Sequence, residues 1–190
     1  MITNLDRSGW FGASDTSYVI RKNRTTKSWL EWWDVKMGRR EAPQLHTREI
    51  DAGTAWEHKI LEEINPKIRK DFQIKIDKLG LRVNYDGDLD NTIYEVKTHN
   101  YLKEFKMPNT YRHQAYVEMF AWKKHFGKLP KLYIALYSLI DSEYENYSTA
   151  VDSNRISFYE VKYDKSWING VYLPNLKELC RAMRKGGIPK

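Results

Sequence analysis

The sequence predicts an α+β (mixed α/β) fold in which helices pack on a central mixed β-sheet. Segments of helical period and segments of strand period alternate along the chain, three strands follow one another as a meander, and a helix separates the third strand from the fourth. The composition agrees: 41% of the 190 residues are hydrophobic and 30% charged, the balance of a globular chain. That length suits one compact domain over residues 1–190, and no internal repeat, low-complexity run or Gly/Ser linker divides it.

The elements follow in order. Thr26 precedes KSWLEWWDVKMG, a periodic segment that reads as a helix stopping at Gly38. From about Ile50 to Ile64, Ala52, Ala55, Trp56, Ile60 and Ile64 recur at three- and four-residue spacing, so a second helix runs there until Asn65-Pro66 ends it. Residues 72–77 alternate as a strand, Leu79-Gly80 turns, 81–86 alternates again, and Thr92–Thr98 forms a third strand. Asn109 or Thr110 caps a helix through about His125, which Gly127 closes. Strands at 132–140 and 156–163 come next, and Asp164 caps a last helix that Pro174 kinks or divides. Trp29 with Trp32 or Trp33 reads as core, and the basic tail RAMRKGGIPK as a frayed end.

Several function classes fall away. No stretch approaches the roughly 20 apolar residues that span a membrane, and the first residues carry no basic-then-apolar signal pattern, so the expectation is a cytoplasmic protein. The single Cys180 excludes an internal disulfide, a thiolate zinc site and a cysteine-ligated iron–sulphur cluster. The five histidines show no ligand spacing, and none is assigned to metal. A net charge of +7 leans towards a polyanionic partner.

The chemistry concentrates in NYDGDLDNTIYEVKTH, residues 84–99. Asp90 and Asn91 both tolerate positive φ and suit a two-residue hairpin turn. Pairing across that turn sets Leu89 against Thr92, Asp88 against Ile93 and Asp86 against Glu95. Opposed β-carbons lie ~4.5–5.5 Å apart, a distance at which two carboxylates repel unless a cation sits between them. Glu95 and Lys97 share a strand face, with Asp86 and Asp88 on the matching face of the partner strand. Such hard oxygen ligands suit Mg²⁺, with Mn²⁺ as a substitute, rather than zinc. Taken alone, Glu-x-Lys on a strand is commonly a solvated charged face and Glu57 an exposed helix residue. The apolar residue between Glu95 and Lys97, the facing Asp86-Gly87 and Glu57 upstream turn the reading towards a site.

Tyr85-Asp86-Gly87 followed by Glu95-Val96-Lys97 resembles the D…ExK signature of the PD-(D/E)XK nuclease superfamily, with Tyr85 where the formal motif has Pro. The order RSGWFGAS (7–14), GTAWE (53–57), the Asp86/Glu95/Lys97 core and YRHQAYVEM (111–119) is similar to its lambda-exonuclease (YqaJ-like) branch. The resemblance implies a restriction-endonuclease-like core. It also implies a metal held by Asp86, Glu95, the Val96 carbonyl and Glu57, with Lys97 acting on the nucleophile and Gln114 positioning Lys97 or the phosphate. Arg7 and Ser14 would grip a 5′-terminal phosphate. Ser14 also reads as an N-cap, where free N–H groups bind anions, and Lys103 falls at a further basic phosphate contact. A Mg²⁺-dependent DNA exonuclease acting 5′ to 3′ on duplex ends, in phage or bacterial recombination or repair, is the activity implied. A ring-shaped homo-oligomer and a single-strand annealing partner come with the resemblance. Its rivals are an endonuclease or single-strand/flap nuclease of the same superfamily, and a DNA-binding accessory module without catalysis.

Overall fold

The computed structural model describes residues 8–189. Near its start a 3₁₀ turn, Ala13–Asp15, leads into the short helix α1 (Thr16–Val19). Helix α2 (Lys27–Lys36) begins at Thr26, whose hydroxyl accepts from the Trp29 N–H, and the chain leaves it through Gly38 at φ 68°. Helix α3 spans Arg48–Ile64 with Thr47 as its N-cap, so it starts two residues earlier than its apolar period suggests. The polar first turn carries no hydrophobic signal, and only the cap marks it.

Five strands follow in one sheet: β1 (Arg69–Ile76), β2 (Leu81–Leu89), β3 (Thr92–Asn100), β4 (Lys131–Leu139) and β5 (Ile156–Glu160), adjacent in that order. The first three form an antiparallel meander, β3 and β4 run parallel, and β5 returns antiparallel. A parallel neighbour requires a crossover, and helix α4 (Asn109–Phe126) supplies it. Pro108 occupies the N-cap of α4, with Asn109 its first helical residue, and Gly127 closes it at φ 75°. Pro108 lacks an N–H but still offers the helix its carbonyl, so the helix starts one residue ahead of the Asn/Thr cap expected from side-chain chemistry.

Asp164 caps the last helical stretch by accepting from the Trp167 N–H at 2.8 Å. The stretch is divided: α5 (Lys165–Trp167), a π-helical turn Ile168–Tyr172, and α6 (Leu173–Arg184), with Pro174 in the first turn of α6 where its missing N–H costs little. The basic end is held rather than frayed, since the Gly187 carbonyl accepts from Trp33 Nε1 and the Gly186 carbonyl from Arg39.

Apolar residues gather on both sides of the sheet. One cluster joins Trp29, Trp33, Tyr85, Ile93, Val117, Trp122 and Ile134. The other joins Ala52, Trp56, Ile60 and Leu61 of α3 to Val96, Ala135 and Tyr137. Alternation along β3 therefore turns Ile93, Glu95 and Lys97 towards α4, and Val96 towards α3. Gly87 marks a close approach of chain to chain: a β-carbon there would lie 2.6 Å from Ile68 Cγ2 and 2.8 Å from Leu61 Cδ2.

Candidate active site

The turn at Asp90-Asn91 adopts positive φ at both residues, 49° and 61°. It sets the expected register, Leu89 with Thr92, Asp88 with Ile93 and Gly87 with Tyr94. Beyond Gly87 the ladder stops. Asp86 is skipped on its other side as well, because β1 pairs through Lys70↔Gly87 and Phe72↔Tyr85 while Asp71, at φ 56°, is left out. The Val96 N–H that a ladder would use is instead taken by Asp86 Oδ2 at 2.8 Å. The ladders on both sides of β2 thus open at Asp86, a residue singled out from the sequence.

Glu95 is 3% exposed. Its Oε1 accepts from Lys97 Nζ at 2.5 Å and from Gln114 Nε2 at 2.5 Å, while its Oε2 has no hydrogen-bond partner. The second hydrogen of the Gln114 amide goes to Glu118 Oε1 at 2.9 Å. Glu118 is wholly buried, and its Oε2 is also without a partner. Burial raises the Asp86 carboxyl well above its ordinary value, and the charges of Glu95 and Glu57 raise it further. Burial and Glu95 do the same to Glu118. Burial followed by Glu95 also raises Glu57. For Lys97 burial works against the charge, but Glu95 and Asp86 outweigh it and hold the ammonium above its ordinary range. Its Nζ also lies 5.3 Å from the centre of the Tyr111 ring.

Asp86, Gln114 and Glu118 line a cavity of about 130 Å³ together with Trp10, Gly12, Ala13, Ser14, Arg82 and Asn84. Ser14 therefore reaches the same cavity as the acids, although not as an N-cap. Gly12 caps the 3₁₀ turn, Ser14 lies inside it, and Asp15 is the residue before α1, with its carboxylate accepting from the Gly12 N–H at 2.6 Å. Arg7 lies outside the described residues. Lys103 lines a different cavity with Arg48, His99 and Tyr144, at the C-terminal end of β3. Asp88 is drawn away from the cluster: Arg69 donates to both of its oxygens, at 2.9 and 3.0 Å.

Two groups were not legible as site residues. Glu118 stands four residues after Gln114 on α4, the spacing that puts both on one face, but a helix glutamate reads as exposed until the fold buries it. His58, given no metal role from spacing, joins Glu57 and Asp71 in a set whose ligand atoms lie within 4.8 Å of one another. Asp71 comes from β1, so nothing in the local sequence announces the contact.

The chemistry of these donors suits a hard divalent cation, although among the described residues the three-residue set whose ligand atoms lie within 4.8 Å of one another is Glu57, His58 and Asp71 rather than Asp86, Glu95 and Glu57. Burying a carboxylate oxygen without a partner is costly, and Glu95 Oε2 is such an atom, oriented by two donors that both hold its sister oxygen. Asp86 and Glu57 add oxygen donors, and the raised carboxyls are the ones a cation would return to the charged state.

No protein-family model matches the sequence, and no curated protein matches it. Among solved structures, an alkaline exonuclease (LHK-Exo) from Laribacter hongkongensis is similar at TM-score 0.66 and 17% identity, over 95% of this chain and 90% of that one. The same protein in complex with dAMP gives TM-score 0.67 at 17% identity, with the same coverage. A phage-related exonuclease from Haemophilus somnus gives TM-score 0.60 at 12% identity, over 93% of this chain and 92% of that one. The chain has the fold of these exonucleases. The restriction-endonuclease-like core and the likeness to the lambda-exonuclease branch hold at that level, while identities this low carry the architecture alone. Among the described residues, no helix is long and apolar enough to cross a membrane.

Proposed function

We propose that the chain is a metal-dependent deoxyribonuclease, a single nuclease domain that degrades duplex DNA from a 5′ end. The observation that carries this reading is the opened strand at Asp86 beside Glu95, whose buried Oε2 lacks a partner while Lys97 and Gln114 hold Oε1. Asp86, Glu95, the Val96 carbonyl and Glu57 are the residues that would hold Mg²⁺, or Mn²⁺ in its place. An ion held there would supply Lewis acidity to the scissile phosphate and to the attacking water.

The chain's own groups supply the rest. Lys97, kept charged by its acidic neighbours, is suited to offset charge developing on the phosphorane rather than to take a proton. Gln114 orients Glu95 through a direct hydrogen bond. Ser14 lines the same cavity as Asp86, which supports a contact with the terminal phosphate; Arg7 is read as part of the same grip, and Lys103, in the other cavity, as a DNA contact further along. A cytoplasmic setting in recombination or repair of the phage or bacterial kind, a homo-oligomeric ring and an annealing-protein partner belong to the same reading, supported by the likeness in fold.

Polarity and end-dependence are tested with a duplex labelled at one 5′ end, beside the same sequence as a covalently closed circle, both in Mg²⁺. Release of 5′ nucleotides with an intact circle is expected. Cleavage of the circle would make the enzyme an endonuclease, and DNA binding without hydrolysis would make it an accessory module.

A further inference from the structure

Glu118 has no role in the site as read from the sequence, yet it is wholly buried within one hydrogen bond of Glu95's partner. A carboxylate placed among other carboxylates, with one oxygen unpartnered, is an expensive feature to retain. Its contact with Gln114 suggests what it does. The Gln114 amide nitrogen has two hydrogens, and two carboxylate oxygens receive them, Glu95 Oε1 at 2.5 Å and Glu118 Oε1 at 2.9 Å. Only the nitrogen end of an amide can donate to two carboxyl oxygens at once, since its oxygen end has nothing to donate. Glu118 therefore sets which way the Gln114 amide faces. Gln114 together with Lys97 in turn commits Glu95 Oε1 and leaves Oε2 open.

We propose that Glu118 is a positioning residue for the metal site, acting through Gln114 to select the Glu95 oxygen that faces the cation. The proposal rests on the metal-nuclease reading above. Without Glu118, the Gln114 amide is free to turn over or swing away, and Glu95 loses one of the two donors that orient it. Partners that hold a metal ligand directly, as Gln114 holds Glu95, usually change the metal's affinity by about 10- to 100-fold, and Glu118 acts by keeping that partner in place.

The test is Mg²⁺ binding to the metal-free full chain by titration calorimetry, which needs no turnover. Glu118→Leu and Gln114→Leu should each weaken Mg²⁺ about 10- to 100-fold. The double variant should be no weaker than the worse single one, because the two residues act in series. Glu118→Gln, which still offers Gln114 an oxygen, should recover most of the affinity. Thermal melting separates this from a merely structural role: Glu118→Leu removes a buried, crowded carboxylate and should not lower the midpoint. If that variant fails to fold, Glu118→Met carries the same expectation. Unchanged Mg²⁺ affinity in the folded Leu or Met variant, or losses that multiply in the double variant, would overturn the proposal. A wild-type chain that binds no divalent cation would overturn the metal site itself, by a result that none of the variants can mimic.

Discussion

Two buried glutamates, Glu143 and Glu95, sit beside cations in this chain and are treated in opposite ways. Glu143 is 4% exposed, and its carboxylate is saturated. Arg155 donates to Oε2 at 2.5 Å and to Oε1 at 2.6 Å, Tyr137 donates to Oε1, and the Ile140 N–H donates to Oε2. Burial pushes its carboxyl up, but the hydrogen bonds from Arg155, Ile140 and Tyr137 outweigh that and hold it below the usual value. Glu95 is buried as deeply, yet one oxygen takes both donors and the other takes none. The first arrangement ties the 140–155 connection to β4, and nothing in it is left to bind. The second leaves one oxygen open, the difference expected between an acid kept for the proposed chemistry and one kept for the fold.

The sharpest way to break the comparison is to remove the cation from each. Lys97→Ala should lower DNA hydrolysis by about 1,000-fold or more under conditions where it stays folded and binds DNA. Because it strands the buried Glu95, it should also lower the melting midpoint in chelator, a loss that Mg²⁺ should offset. A matching loss of folded protein would show that Lys97 is structural. Arg155→Met should act on the fold alone, costing about 3–5 kcal/mol in urea unfolding because it strands a buried charge, with Mg²⁺ affinity unchanged in whatever protein remains folded.

A smaller effect of opposite sign is expected at Asp86. Burial and two neighbouring acids raise its carboxyl in the fold, so the native state binds protons more readily than the unfolded chain. Stability from this group is present below the unfolded carboxyl's pKa and is lost as pH rises through the native value. Asp86→Asn should therefore raise the stability of the metal-free protein by about 1 kcal/mol. That gain should grow as pH rises from the unfolded carboxyl's range towards the raised native value, as read from melting curves in chelator. Glu143 has the opposite linkage, its contribution vanishing as pH falls through its lowered value, so a gain that shrank with rising pH would reverse the assignment of the two sites. The smallest effect is at Ser14. Ser14→Ala should reduce the preference for 5′-phosphorylated over 5′-hydroxyl ends about fivefold, the weight of one hydrogen bond of ~1 kcal/mol, and an unchanged preference would remove Ser14 from phosphate binding.

Local physics made much of this readable in the sequence. Positive φ at Asp90 and Asn91 is a property of those residue types, so the hairpin and its register from Leu89 to Gly87 followed by counting. Counting then fails one step later, at Asp86, because its side chain captures a backbone N–H and Asp71, at positive φ, drops out of the β1 pairing, neither of which leaves a local signal. Ser14 was misplaced for a similar reason. Capping logic sees a hydroxyl before an apolar run, but Asp15 binds the Gly12 N–H and shifts the turn. Glu118 and the Glu143–Arg155 pair depend on which faces the finished fold buries, and a charged residue on a helix or in a connection reads as exposed until the packing is known.

The most direct test of the central claim is release of acid-soluble nucleotides from a linear duplex, in Mg²⁺ and in chelator, with wild-type and Lys97→Ala protein in parallel. The account predicts hydrolysis only for the wild type and only with the metal. Equal release in chelator, or undiminished release by Lys97→Ala, would contradict it.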